Sequence, residues 1–158
     1  MTAKLVLTVA ISLIAAACTG PRMVMFDRSE RPQIMVDASL QTVRDVIEDS
    51  ARARGSAVVL VGDGLVLERP LLSSSDDVVA ACGFHRPGRA VRVVLRTQGQ
   101  GANRTLLSEE RYIVDRGAMC PLPLSREDYS QAIGALNRIR VQAEAVQARI
   151  RTAQAAVR

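Results

Sequence analysis

Hydrophobic and polar positions along the chain change period several times, and each change marks an element. Leu40, Val43, Val46, Ile47 and Ala51 recur at steps of three and four, giving one apolar stripe through residues 40–54. That spacing predicts an amphipathic helix. Ser39 stands where an N-cap hydroxyl can accept from a first-turn amide, and Gly55 follows as the C′ residue. Upstream, Ile34-Met35-Val36 reads as a strand. Downstream, 57–61 and 65–68 flank Gly62-Asp63-Gly64. An Asp-Gly pair between two apolar runs predicts a hairpin, which makes Asp63 a turn residue rather than a catalytic acid. The Ser and Asp residues of 73–77 supply caps for a short helical turn ending near Cys82-Gly83. From Val91 to Thr97 the pattern alternates, with Val91, Val93 and Leu95 on one face and Arg92, Val94 and Arg96 on the other. A second strand, 105–114, follows across the loop 98–103.

The last segment has a longer period. Ser125 is positioned as an N-cap, with Glu127 and Asp128 in the first turn where the helix dipole favours acids. Tyr129, Ala132, Leu136, Ile139, Ala143, Val146, Ile150, Ala153 and Val157 then alternate steps of three and four without a break. This is a heptad seam, with Tyr129, Leu136, Ala143, Ile150 and Val157 at a and the rest at d. Leu136, Ile139, Val146 and Ile150 are its candidate partner-binding residues. A straight helix of this length reaches roughly 45 Å. Alanine at three of the nine positions buries little area per layer. Three uses of the seam stay open: packing back on the domain, self-association as a homo-oligomer, and pairing with a partner helix.

The expected fold class is α+β: a small two-layer domain with one helix on an antiparallel sheet, followed by a long C-terminal helix. The divisions are 1–17 as a signal peptide, 18–33 as a tether, 34–124 as the α+β domain, and 125–158 as the helix. Pro21 and Pro32 punctuate the tether, which carries an apolar run, 23–26, compatible with a short strand. The whole chain has 158 residues, no Trp, two Tyr and two Phe. That excludes a large multidomain enzyme and leaves a core of Val, Leu, Ile and Ala.

Charge changes the picture only when it is partitioned. The chain carries +5 overall, from 21 Lys+Arg against 16 Asp+Glu. Lys4 is its sole lysine. From Tyr129 onward Arg138, Arg140, Arg149, Arg151 and Arg158 face Glu144 alone, and residues 18–128 are balanced. Overall basicity suggests a nucleic-acid binder; the partition argues instead for a basic appendage on a neutral body, and no nucleic-acid partner is expected. The Arg-rich helix leaves a polyanion such as lipopolysaccharide or a cell-wall polymer as an alternative ligand.

Lys4 precedes an apolar run of about 13 residues, shorter than the ~20 needed to span a bilayer. Ala15-Ala16-Ala17 leads directly into Cys18. In these first 20 residues the chain resembles bacterial lipoprotein precursors, whose lipobox ends in a small residue before the lipidated cysteine. An ordinary secretory signal would cut at the same bond, since the alanines also satisfy the A-x-A rule. Cysteine arithmetic separates the two, because three cysteines in an exported protein leave one unpaired. With Cys18 lipidated, Cys82 and Cys120 remain as a pair. Thr19 rather than Asp after that cysteine implies, by the same resemblance, a palmitoylated outer-membrane anchor with the body on the periplasmic face.

A search for chemistry returns mostly negatives. Without lysine beyond the leader there is no P-loop lysine and no Schiff base. Gly99-Gln100-Gly101 lies between strands rather than opening a helix. Cys82, His85 and Cys120 are the one constellation with chemical scope. They could hold zinc with an open position, or His85 could activate Cys82 as a nucleophile. In an oxidising compartment the two cysteines more simply form a disulfide around the 91–114 hairpin. Closing a loop of about 38 residues is worth roughly 4 kcal/mol on the chain-entropy model. The expectation is a non-enzymatic cell-envelope lipoprotein, without catalytic residues, metal or cofactor. It would be tethered to the membrane through Cys18 and act as an interaction or assembly module in an envelope or secretion complex. A thiol- or metal-dependent periplasmic enzyme is the alternative.

Overall fold

The computed structural model describes residues 31–72, 76–84 and 86–157. Among the described residues six strands form one antiparallel sheet: β1 (Gln33–Val36), β2 (Val58–Val61), β3 (Gly64–Pro70), β4 (Ala90–Gly99), β5 (Thr105–Asp115) and β6 (Ala118–Pro121). Their order is β1-β5-β4-β3-β2, and β6 pairs the far half of β5. The α+β class expected from the pattern is the class observed.

Local chemistry explains most elements. Helix α1 (Leu40–Arg52) starts at Ser39, whose Oγ accepts from the Thr42 amide at 3.2 Å. Its chain turns away through Gly55 at φ +68. The β2–β3 hairpin has a two-residue loop, since Val61 pairs with Gly64. The turn residues are therefore Gly62 and Asp63, one position earlier than an Asp-Gly turn. Gly62 takes φ +62 and Asp63 does not take positive φ, as a type II′ turn with leading glycine requires. Gly64 begins the strand for another reason. A Cβ there would lie 2.9 Å from Val94 Cγ1 on the neighbouring strand. Helix α2 (Asp76–Cys82) is the short turn expected before Gly83.

Strand β6 was not expected from the pattern. The hairpin that makes it turns through Arg116 and Gly117, both at positive φ, in the I′ sense. Arginine at such a position carries none of the Asn or Asp signal by which these turns are recognised.

One face of the sheet is covered by α1 and a second long helix, with the short α2 at the disulfide end, rather than by one helix. Alternation places Leu65, Leu95 and Leu107 on that face, where they meet Val43, Val46 and Ile47 of α1. Helix α3 (Arg126–Ala156) lies beside α1 and completes the cluster with Leu136 and Ala143, both fully buried. A second cluster, Val78, Val91 and Ile113, sits under α2 at the disulfide end. Residues 126–147 of α3 are thus part of the domain's own core, not an appendage beginning at 125.

The buried stripe of α3 also leaves the heptad. Ala132, Leu136, Ala143 and Gln147 are buried. Ala132 and Ala143 are eleven residues apart, as are Leu136 and Gln147. Eleven residues close about three turns of a straight 3.6-residue helix, whereas a strict heptad drifts by about 20° per repeat unless the helix supercoils. Ile139 and Val146 pack against the margin of the core. Residues 148–157 are exposed, Ile150 included.

Candidate interaction face

The sheet's other face carries Val59, Val61, Val66, Val94 and Met119, flanked by Glu68, Arg92, Arg96 and Tyr112. They line an open trough of about 480 Å³. No described helix lies across it. Val59 and Val61 are 59% and 61% exposed, so the described residues do not bury them. An apolar centre rimmed by charge is the composition of a protein-contact patch.

Two ion-pair systems frame the trough. Arg92 reaches Glu68 Oε2 through Nε at 2.9 Å and Nη2 at 2.8 Å, and its Nη1 contacts Met119 Sδ at 3.3 Å. Arg96 bridges Asp63 Oδ1 at 2.9 Å and Glu110 Oε1 at 3.1 Å. Glu110 also accepts from the Tyr112 hydroxyl at 2.6 Å and pairs with Arg31. Burial pushes the Glu110 carboxyl upward, but the Tyr112 hydrogen bond together with Arg96 and Arg31 outweighs it and holds the carboxyl below its ordinary range. The hydrogen bond to Glu110 in turn raises Tyr112, with burial adding to it. Arg96 is raised chiefly by its hydrogen bond and charge contact with Glu110. Each contact favours the ionised Glu110 and Arg96 and the protonated Tyr112.

On the covered face, charged groups fasten α3 to the sheet. Arg111 Nε meets Glu109 Oε1 at 2.6 Å, and its Nη1 meets Asp128 Oδ1 at 3.3 Å in the first turn of the helix. Asp128 Oδ2 accepts from the Ser125 hydroxyl at 2.6 Å.

The residues singled out in the sequence separate in space. Cys82 and Cys120 are joined in a disulfide with Cα atoms 5.9 Å apart, linking α2 to β6. Both sulfurs are thereby committed, which leaves neither as a thiolate nucleophile or zinc ligand while the bond is intact. His85 and Cys18 lie outside the described residues, as do the leader and the apolar run 23–26. No group of three or more metal-capable side chains occurs among the described residues. No described helix is long and apolar enough to cross a membrane.

Of the four seam residues, Leu136 is fully buried within the chain and is closed to a partner. Ile139 and Val146 are half-buried against the core and line a groove between α1 and α3, and Ile150 is 39% exposed. Gln147 and the trough residues were missed by the sequence reading. Gln147 is polar in a helix read for apolar spacing. The trough was hidden because alternation shows that a strand has two faces, not that one of them is left open by the described helices.

No protein-family model matches the chain, and a search of the curated proteins finds no match.

Proposed function

We propose that the protein is a cell-envelope lipoprotein, anchored through Cys18, whose two-layer domain is a non-enzymatic interaction module in an envelope or secretion assembly. The observation that carries this reading is the uncovered sheet face, with its apolar trough between the Arg92–Glu68 and Arg96–Glu110 pairs. The disulfide supports an oxidising compartment. The lipobox-like leader supports the membrane anchor, on the periplasmic side of the outer membrane.

The trough is a surface for another protein. Its ion pairs satisfy one another, so a partner contributes apolar side chains to the centre and polar groups to the rim. The basic, exposed end of α3, with Arg149 and Arg151, offers a second contact for acidic groups, lipid A phosphates included.

The test is a double variant, Val66→Thr with Met119→Gln, which makes the trough polar without changing charge or the β2 edge. Membranes carrying the natural chain are expected to yield a native complex heavier than two copies. The variant, folded and equally abundant, is expected to lose it. Retention of that complex by the variant would contradict the reading.

A further inference from the structure

Strand β2 closes the sheet on the side away from β1, and its outer edge has no neighbour among the described strands. Its sequence is Val58-Val59-Leu60-Val61, with Ala57 before it and Gly62 after it. Val59, Leu60 and Val61 are all more than half exposed. Sheet edges are commonly guarded by lysine, proline, a bulge or an inward charge. Residues 57–62 hold none of these side chains, and the strand pairs with β3 in unbroken register.

The backbone fixes which groups face outward. In a two-residue hairpin the residues closing the turn, Val61 and Gly64, form a hydrogen-bonded pair. Val59 therefore also bonds β3, and the amides and carbonyls of Val58 and Leu60 point away from the sheet. Water satisfies that alternating array in an isolated molecule, and another extended chain can replace the water group for group.

We infer that β2 pairs with β2 of a second copy of this chain, antiparallel and centred on Val59, to make one continuous sheet across two molecules. This register sets Val58 opposite Leu60 of the partner, so the outward main-chain groups of the two copies meet. It sets Ala57 opposite Val61 and Val59 opposite itself. Opposed residues in a sheet share a face, so each apolar side chain meets an apolar one. No like charges are brought together along the strand. The flanks are complementary as well. Antiparallel pairing directs the end of β2 preceded by Arg54 toward the end of the partner strand followed by Asp63, a carboxylate that also bridges Arg96. Parallel pairing would set like against like.

The area is small. The exposed parts of Val59, Leu60 and Val61 in two copies come to roughly 600 Å², about half of what a stable complex buries. The pairing is thus weak in dilute solution and is populated at high local concentration, such as that of molecules confined to a membrane surface. Val59 and Val61 also belong to the trough, so pairing would continue its apolar floor from one copy into the next.

Cysteine cross-linking of the full chain reads the register. In the centred pairing the Val59 Cα atoms lie about 4.5 Å apart, as in a non-hydrogen-bonded pair. That is within the 4.4–6.8 Å range for a disulfide. The Leu60 positions are offset by two residues and the Val61 positions by four. Val59→Cys is therefore expected to form a self-linked dimer on mild oxidation, at least about ten-fold more than Leu60→Cys or Val61→Cys. Mixed Val58→Cys and Leu60→Cys chains should link to each other. The assay is run on membranes and on purified chain at high concentration, and the linked peptides are identified by mass spectrometry. Register-specific links in concentrated solution alone uphold strand pairing while removing support for the membrane anchor. Equal linking at 59, 60 and 61, or none in either setting, overturns the inference. A link from Val59→Cys to a different protein, without self-linking, also overturns it.

Discussion

Gln147 caps a helix that begins far upstream: its Oε1 accepts from the Ser39 backbone amide, 108 residues earlier, at 3.0 Å. The same oxygen accepts from the Thr42 hydroxyl at 3.0 Å. One turn earlier on α3, Glu144 Oε1 accepts from the Asp37 amide at 3.2 Å. The start of α1 has amides without intrahelical partners, and α3 supplies acceptors beside them. The two helices are therefore joined by directed bonds as well as by the apolar layer beneath them.

Gln147→Leu keeps the bulk but removes the acceptor of the Ser39 amide near a buried site, and leaves the Thr42 hydroxyl with the Ser39 hydroxyl alone. A loss of about 1–3 kcal/mol is expected in urea unfolding. Gln147→Glu retains the oxygen and adds a negative charge at a helix N-terminus, so it should stay closer to the natural stability.

The two ends of α3 should respond differently to truncation of side chains. Leu136→Ala opens a cavity in the shared core and is expected to cost about 2–5 kcal/mol. Ile150→Ala lies in the exposed part and should fall within about 0.5 kcal/mol of the natural chain. Deleting residues 149–158 should leave a cooperative unfolding transition. Deleting 129–158 should abolish it, because Leu136 and Ala143 leave the core together.

The pattern of apolar positions made these elements legible but not what covers them. Caps at Ser39 and Ser125, the β2–β3 hairpin though not the register of its turn, and the alternation of β4 are local chemistry, each visible in a few adjacent residues. The use of the α3 seam was not. Spacing identifies a face of a helix and is silent on whether that face meets its own sheet or another molecule. The heptad also overstated the match, since Gln147 replaced Val146 in the buried stripe of a straight helix. The Cys82–Cys120 pair was legible by arithmetic, whereas the open trough depends on where the three described helices do not lie.

Glu110 gives the fold an acid-sensitive contact. Its folded carboxyl titrates below the ordinary value of about 4.3, so its contribution is present above that value and is lost as pH falls through the folded pKa. Glu110→Gln should lower the melting temperature near neutrality, and its melting profile should fall less steeply from about pH 5 to pH 2. Parallel profiles for the two proteins would show that the Arg96–Glu110–Tyr112 cluster contributes nothing pH-dependent.

Cys82→Ser and Cys120→Ser should each cost about 2–5 kcal/mol, and the double variant should be no less stable than either single one. Reductant should lower the stability of the natural chain by a similar amount and leave the double variant unchanged. The measurement is denaturant unfolding with and without reductant.

The central claim, a disulfide-braced domain held to the envelope by lipid, is tested most directly by the intact mass of the protein extracted from membranes. The account predicts a chain beginning at Cys18, heavier by its acyl groups and lighter by the two hydrogens lost in forming Cys82–Cys120. A chain that begins at Met1, or at an unmodified Cys18, or that retains both thiols, would contradict it.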